Sequence, residues 1–212
     1  MTPGRRSVAS AFLVVALALG AFAGITHGFA AVTSDGVRRA DIARAPRVLP
    51  DLRLIDADGR SLSLSDYGNL PAAVTFVSLV YVRCQSVCQT SAAGQSWLQA
   101  ETQARGLASS VRLLTLSFDP ANDTPQVLAE HARRLGADTD QWRFATVRYA
   151  SDLPSLLKLF DVVVLPDGLG GYSHNAALFL VGEDGRLRRA YDVDRPDLAL
   201  ADYLRTAQGR PG

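Results

Sequence analysis

AAVTFVSLVYVRCQSVC, residues 72–88, opens with a run from Ala72 to Val80 that is apolar or β-branched almost throughout. A strand covered on both faces reads this way, because neither side of its pleat meets water. Two cysteines, Cys84 and Cys88, follow it directly, and Gln89–Arg105 has the composition of a helix. A loop at the carboxyl end of a central strand is where open α/β sheets place their sites.

Working outward, strand and helix signals alternate on both sides. Asp51–Asp56, the Asp58-Gly59 turn and Ser61–Leu64 predict a hairpin. Val111–Phe118 and Trp142–Tyr149 predict two further strands. Between them Thr124 suits an N-cap and Pro125 the first helical position, for a helix reaching Gly136. Asp152 is placed to cap Leu153–Phe160, which carries an early Pro154. Ala176–Val181 and Leu187–Val193, joined by a turn over Glu183–Arg186, predict a second hairpin, and Asp197–Ala207 a closing helix. This order predicts an α/β three-layer sandwich with an N-terminal hairpin and a central mixed sheet.

The N-terminus has another character. Arg5 and Arg6 precede a segment, Ser7–Thr33, without a single charged side chain. A basic start, an apolar middle and the small-x-small site Ala21-Phe22-Ala23 match a secretory signal. Val8–Ile25 is also close to the lower limit for a membrane anchor at ~1.5 Å per residue. The expected organisation is therefore a signal peptide or N-terminal membrane anchor over residues 1–33, a linker over 34–48 and a domain over 49–207. Either reading exports the domain. A formal charge of +1 and the lack of a Lys/Arg block exclude a nucleic-acid footprint. Two cysteines are too few for a disulfide framework.

The thiols stand beside a helix N-terminus, whose partial positive charge favours thiolate. On one helical turn, residues at this C-x3-C spacing have Cβ atoms roughly 5–6 Å apart, whereas a disulfide needs about 3.8 Å. Two thiolates on one ion, each at about 2.3 Å, tolerate sulfurs up to ~4.6 Å apart. The spacing suits a shared metal with little adjustment and a disulfide only if the loop flexes. Of the three histidines, His27 lies in the export segment and His131 inside the Pro125–Gly136 helix. His174 ends a Gly-rich loop, Leu165–Ser173, just before a strand, so it can converge with Cys84 and Cys88 on one edge of the sheet. Two soft thiolates and one imidazole select copper, Cu(I) above all, although zinc is also bound by such donors. Structural zinc usually takes four ligands, and the chain has no third cysteine. An inert disulfide is the bland alternative, but so short a loop gains little from closure.

At these residues the chain resembles the Sco/SenC family of copper-handling, thioredoxin-like proteins. VTFVSLVYVRCQSVC (residues 74–88), LSFDPANDTP (116–125) and YSHNAALFLVGEDGRL (172–187) carry the resemblance, in the family's order. It implies a thioredoxin-like fold and one copper ion bound by Cys84, Cys88 and His174. It implies delivery of that copper to, or reduction of the cysteines of, the binuclear copper site of cytochrome c oxidase, on the periplasmic or equivalent extracytoplasmic face. The partner would be the oxidase's copper-site subunit or another exported copper protein. The alternative is a thiol–disulfide oxidoreductase in which Cys84 and Cys88 are catalytic and His174 is incidental. Gln85 and Gln89 stand where the family usually has prolines, which leaves this loop freer and its thiols easier to oxidise. Asp119 and Asp123 match the family's acidic segment, and turn and cap chemistry is their expected role, ahead of support for the site.

Overall fold

The computed structural model describes residues 5–25, 33–68, 73–84 and 87–208. His27 and Gln85 lie outside the described residues. The chain divides into two compact units, Met1–Arg44 and Ala45–Gly212.

The first unit contains α1 (Arg5–Ile25) and α2 (Ser34–Arg44). Among the described residues no helix is long and apolar enough to cross a membrane, so the anchor expected over Val8–Ile25 gains no support from the structure. Part of the stretch expected as linker is helical instead. Thr33 accepts the Gly36 amide at its side chain (3.0 Å) and the Val37 amide at its carbonyl (2.9 Å), which starts α2.

The second unit runs β1 (Arg47–Val48), β2 (Arg53–Asp56), β3 (Ser61–Ser63), β4 (Val74–Val80), α3 (Val87–Ala104), β5 (Val111–Ser117), α4 (Pro125–Arg134) and β6 (Trp142–Val147). It continues with α5 (Leu153–Phe160), β7 (Val164–Pro166), β8 (Tyr172–His174), β9 (Leu178–Val181), β10 (Arg186–Tyr191) and α6 (Pro196–Gln208). Eight strands form one mixed sheet in the order β1-β10-β9-β4-β5-β6-β2-β3. β4, β5 and β6 are parallel, and β9 runs antiparallel to β4. Among the described residues β7 and β8 pair only with each other.

All seven residues of β4 are buried, as a central strand with helices over both faces requires. On one face Phe76, Leu113, Trp142 and Phe144 meet Leu98 of α3, Leu128 of α4 and Leu200 of α6. On the other, Phe179 packs against Phe160 of α5 with ring centroids 4.8 Å apart. This is the α/β, thioredoxin-like three-layer arrangement expected from the sequence. One set of polar groups inside forms a chain: Trp142 Nε1 donates to Thr115 Oγ1 (2.9 Å), which donates to Gln95 Oε1 (2.6 Å).

Three local expectations change. α3 begins at Val87, two residues before the predicted start, so Cys88 sits in its first turn. Thr124 caps α4 through the Val127 amide, as predicted, but Asp152 makes no side-chain cap to α5, because a short 3-10 turn over Ala150–Asp152 feeds that helix. The Gly-rich loop before His174 is itself the β7–β8 hairpin, with Asp167 Oδ1 accepting the Leu169 and Gly171 amides across its tip.

Candidate metal centre

β4 ends at Val80, and a tight turn, closed by the Cys84 amide donating to the Tyr81 carbonyl (3.2 Å), carries the chain to the first thiol. Four residues on, Cys88 projects from the first turn of α3. Both cysteines are reduced thiols, 8% and 7% exposed. His174 arrives from the far side of the chain on β8. One ligand atom from each of Cys84, Cys88 and His174 can be chosen so that all lie within 4.8 Å of one another, a group able to hold one metal ion. The structure brings together the three residues singled out in the sequence. It leaves His131 apart on α4, with its ring edge-on to Phe144.

The imidazole is oriented for this. Its Nδ1 lies 3.1 Å from the Asn175 carbonyl and its Nε2 3.3 Å from Cys88 Sγ. A carbonyl only accepts, so Nδ1 carries the proton and Nε2 presents its lone pair to the thiols. Burial lowers the His174 pKa below the usual histidine value, and the Asn175 hydrogen bond opposes this in part. The ring is therefore neutral at physiological pH, the form that binds metals. Asn175 is pinned in turn: its side chain donates to the Asp161 carbonyl (3.1 Å) and accepts the Val163 amide (2.8 Å).

The thiols correct one expectation. The sequence predicts that the helix N-terminus favours thiolate, yet burial pushes the Cys88 thiol well above its ordinary pKa, and a hydrogen bond with Cys84 pushes the same way. A helix end contributes ~0.3–1 kcal/mol and loses to desolvation here. Without an ion, Cys88 keeps its proton and donates it toward His174 Nε2. A bound cation reverses the balance, because a coordinating thiol is deprotonated outright.

Asp119 holds the turn expected of it, its carbonyl accepting the Asn122 and Asp123 amides, whereas Asp123 differs from expectation. Asp123 does not cap α4. Its Oδ2 accepts the Val82 amide (2.9 Å) and the Ser117 hydroxyl, which ties the start of the thiol loop to the end of β5. Asp119 holds the Asn122 side chain at 2.9 Å and lies 3.7 Å from the Arg83 guanidinium, one residue before Cys84. Asp119 and Asp123 are 3% and 1% exposed. Burial raises the Asp123 pKa against the opposing pull of the Ser117 hydrogen bond.

Aromatic rings close the site. Phe118 meets the His174 ring at 4.8 Å between centroids, and Tyr81 stands edge-on to Tyr172 at 5.3 Å. Sequence reasoning passes over Tyr81, Phe118 and Asn175. Their only signal is adjacency, each lying next to a strand end that bears on the site. A cavity of about 240 Å³, bordered by Cys84, Cys88, Ala92, Ser96 and His131, gives access to the thiols along α3. A larger one, about 280 Å³, is bordered by Tyr67, Arg112, Gln141 and Arg143 near the starts of β5 and β6, and touches none of the three candidate ligands.

Known proteins with these features can be compared directly. The SCO1/SenC family model matches residues 40–208. The SCO1 protein homolog of Bacillus subtilis (strain 168) is 29% identical over 137 residues, covering 64% of this chain and 68% of its own. The solved structure of BsSco, described as a member of the Sco family of cytochrome c oxidase assembly proteins with a disulfide switch, superposes with a TM-score of 0.65 at 24% identity, covering 78% of this chain and 96% of its own. Copper-bound ScoI of Bradyrhizobium japonicum superposes with a TM-score of 0.59 at 22% identity, covering 74% of this chain and 98% of its own.

Proposed function

The chain belongs to the SCO1/SenC family, and from that premise we propose that it is an exported copper chaperone. Cys84 and Cys88 as thiolates and His174 through Nε2 hold one copper ion as cargo. They pass it to the binuclear copper site of cytochrome c oxidase. The observation that carries this reading is the convergence of two thiols and one correctly oriented imidazole within 4.8 Å, Cys88 and His174 lying 86 positions apart in the chain. Soft sulfur donors with one imidazole suit Cu(I). The copper-bound relative supports the choice of metal. Uptake releases thiol protons, and handover proceeds by exchange of these ligands for those of an acceptor, with the cavity along α3 leaving the thiols approachable. Residues 1–33 serve as the export signal, residues 34–48 as the connection and residues 49–207 as the working domain.

The test is copper content and spectroscopy of the reduced, purified domain and of its His174→Ala variant. One copper per chain is expected, with weaker binding and loss of the imidazole nitrogen signal in the variant. No uptake under reducing conditions, or unchanged affinity without His174, sinks the proposal.

A second reading is supported by the two neighbouring reduced thiols and by the disulfide switch described for BsSco. One thiolate attacks a partner disulfide, forming a mixed disulfide and expelling a partner thiolate. The other then attacks the mixed disulfide, leaving Cys84–Cys88 oxidised and the partner reduced by two electrons. The raised pKa of Cys88 slows attack by that thiol. Full disulfide-reducing activity in His174→Ala, without copper, would favour this second reading.

A further inference from the structure

His174 rides on a hairpin that stands outside the main sheet. Among the described residues, β7 and β8 pair with each other and with no other strand, so no ladder there sets their distance from β4 and the thiol loop. What does bridge that gap is Tyr81. Its hydroxyl donates to the Tyr172 carbonyl (3.3 Å) and accepts the Tyr172 amide (3.2 Å), gripping both polar groups of one backbone residue two positions before His174. The same residue serves the thiol loop through its main chain. Its carbonyl accepts the Cys84 amide (3.2 Å) and so closes the turn that leads to the first thiol. Gly171 makes room for the grip. A Cβ there would lie 3.0 Å from the Tyr81 hydroxyl and 2.7 Å from the Asp167 carboxylate, the latter closer than real Cβ contacts come.

We propose that Tyr81 is a positioning residue for the third copper ligand: its hydroxyl straps the β7–β8 hairpin to the Cys84/Cys88 loop and holds the His174 imidazole in reach of the ion. This rests on the copper reading above. Phe118 packs on both Tyr81 (5.5 Å) and His174 (4.8 Å), so the rings remain packed if only the hydroxyl is removed. The strap therefore decides how firmly the imidazole is presented, while the two thiols are delivered by β4 and α3.

Tyr81→Phe removes the hydroxyl and keeps the ring. Two neutral hydrogen bonds lost translate into a copper affinity about tenfold weaker. The nitrogen hyperfine coupling of the oxidised copper adduct should weaken with it. In a His174→Ala background the same substitution should change affinity less than about twofold, since a strap that acts through His174 has nothing left to hold. Gly171→Ala, which crowds the hydroxyl from the other side, should shift the nitrogen signal in the same direction. An equal loss of affinity with and without His174, or an unchanged nitrogen signal in Tyr81→Phe, overturns the proposal. If wild-type protein takes up no copper, the chaperone reading fails, and amide exchange at Tyr172 in the metal-free protein still judges the strap. Faster exchange in Tyr81→Phe by about fivefold or more supports it, and unchanged exchange refutes it.

Discussion

At the scale of single residues, the centre sets one buried thiol against one neutral imidazole. Cys88 illustrates how burial and helix-end charge compete at the same atom, with burial the larger effect. The consequence is kinetic, because thiolate is the reactive form. In the reduced, metal-free protein, Cys88 should react with iodoacetamide at pH 7.5 at least about tenfold more slowly than free cysteine, whose pKa is about 8.5. The rate should still be climbing above pH 9. Peptide-resolved mass spectrometry measures it, and half-reaction at or below the free-thiol pKa would show that the site favours thiolate after all. His174 is legible as a candidate ligand from the sequence alone, because the chain offers so few alternatives. Its orientation is not, since it depends on Asn175 and on a carbonyl that a sequence pattern does not place.

At the scale of elements, the centre is a meeting of two supports with different legibility. β4 and α3 announce themselves through an unbroken apolar run and a helical one, and they deliver Cys84 and Cys88. The β7–β8 hairpin has three-residue strands around a Gly-rich tip, too short to show a period of two, so it reads as a loop. Asp123 is a third case. A carboxylate ahead of a Thr-Pro helix start resembles a cap by pattern, and only the fold shows that it reaches back to Val82. Asp123→Ala leaves the Val82 amide and the Ser117 hydroxyl without their acceptor. A cost of about 1–3 kcal/mol in urea unfolding is expected, together with faster amide exchange at Val82 and weaker copper binding. Unchanged exchange at Val82 would mean that the thiol loop is held by other contacts.

At the scale of the whole molecule, the layered α/β architecture is legible because buried strands and helices alternate along the chain. The long-range closure is not. β1 pairs with β10, and Arg47 reaches the carboxyl end of α5, donating to the Leu159 carbonyl at 2.7 Å and pairing with Asp161. Contacts of such sequence separation leave no local signature. Folding also half-buries the two described histidines, and that has a global consequence. His131 and His174 both have pKa values lowered, first by burial. Arg134 depresses His131 further, and the Asn175 hydrogen bond partly offsets the shift of His174. In the unfolded chain both return to about 6.5. Between the folded and unfolded values the unfolded state binds more protons, so stability rises with pH there and falls on acidification. The metal-free domain should thus melt at progressively lower temperature as the pH drops below about 6.5, levelling off once the folded-state histidines are themselves protonated. His131→Gln removes one of the two contributions, and its melting temperature should fall less steeply across that window than the wild-type value. Scanning calorimetry from pH 5 to pH 8 reads this directly. Parallel curves for the two proteins would show that His131 gains its proton as easily folded as unfolded, and that α4 does not shield it.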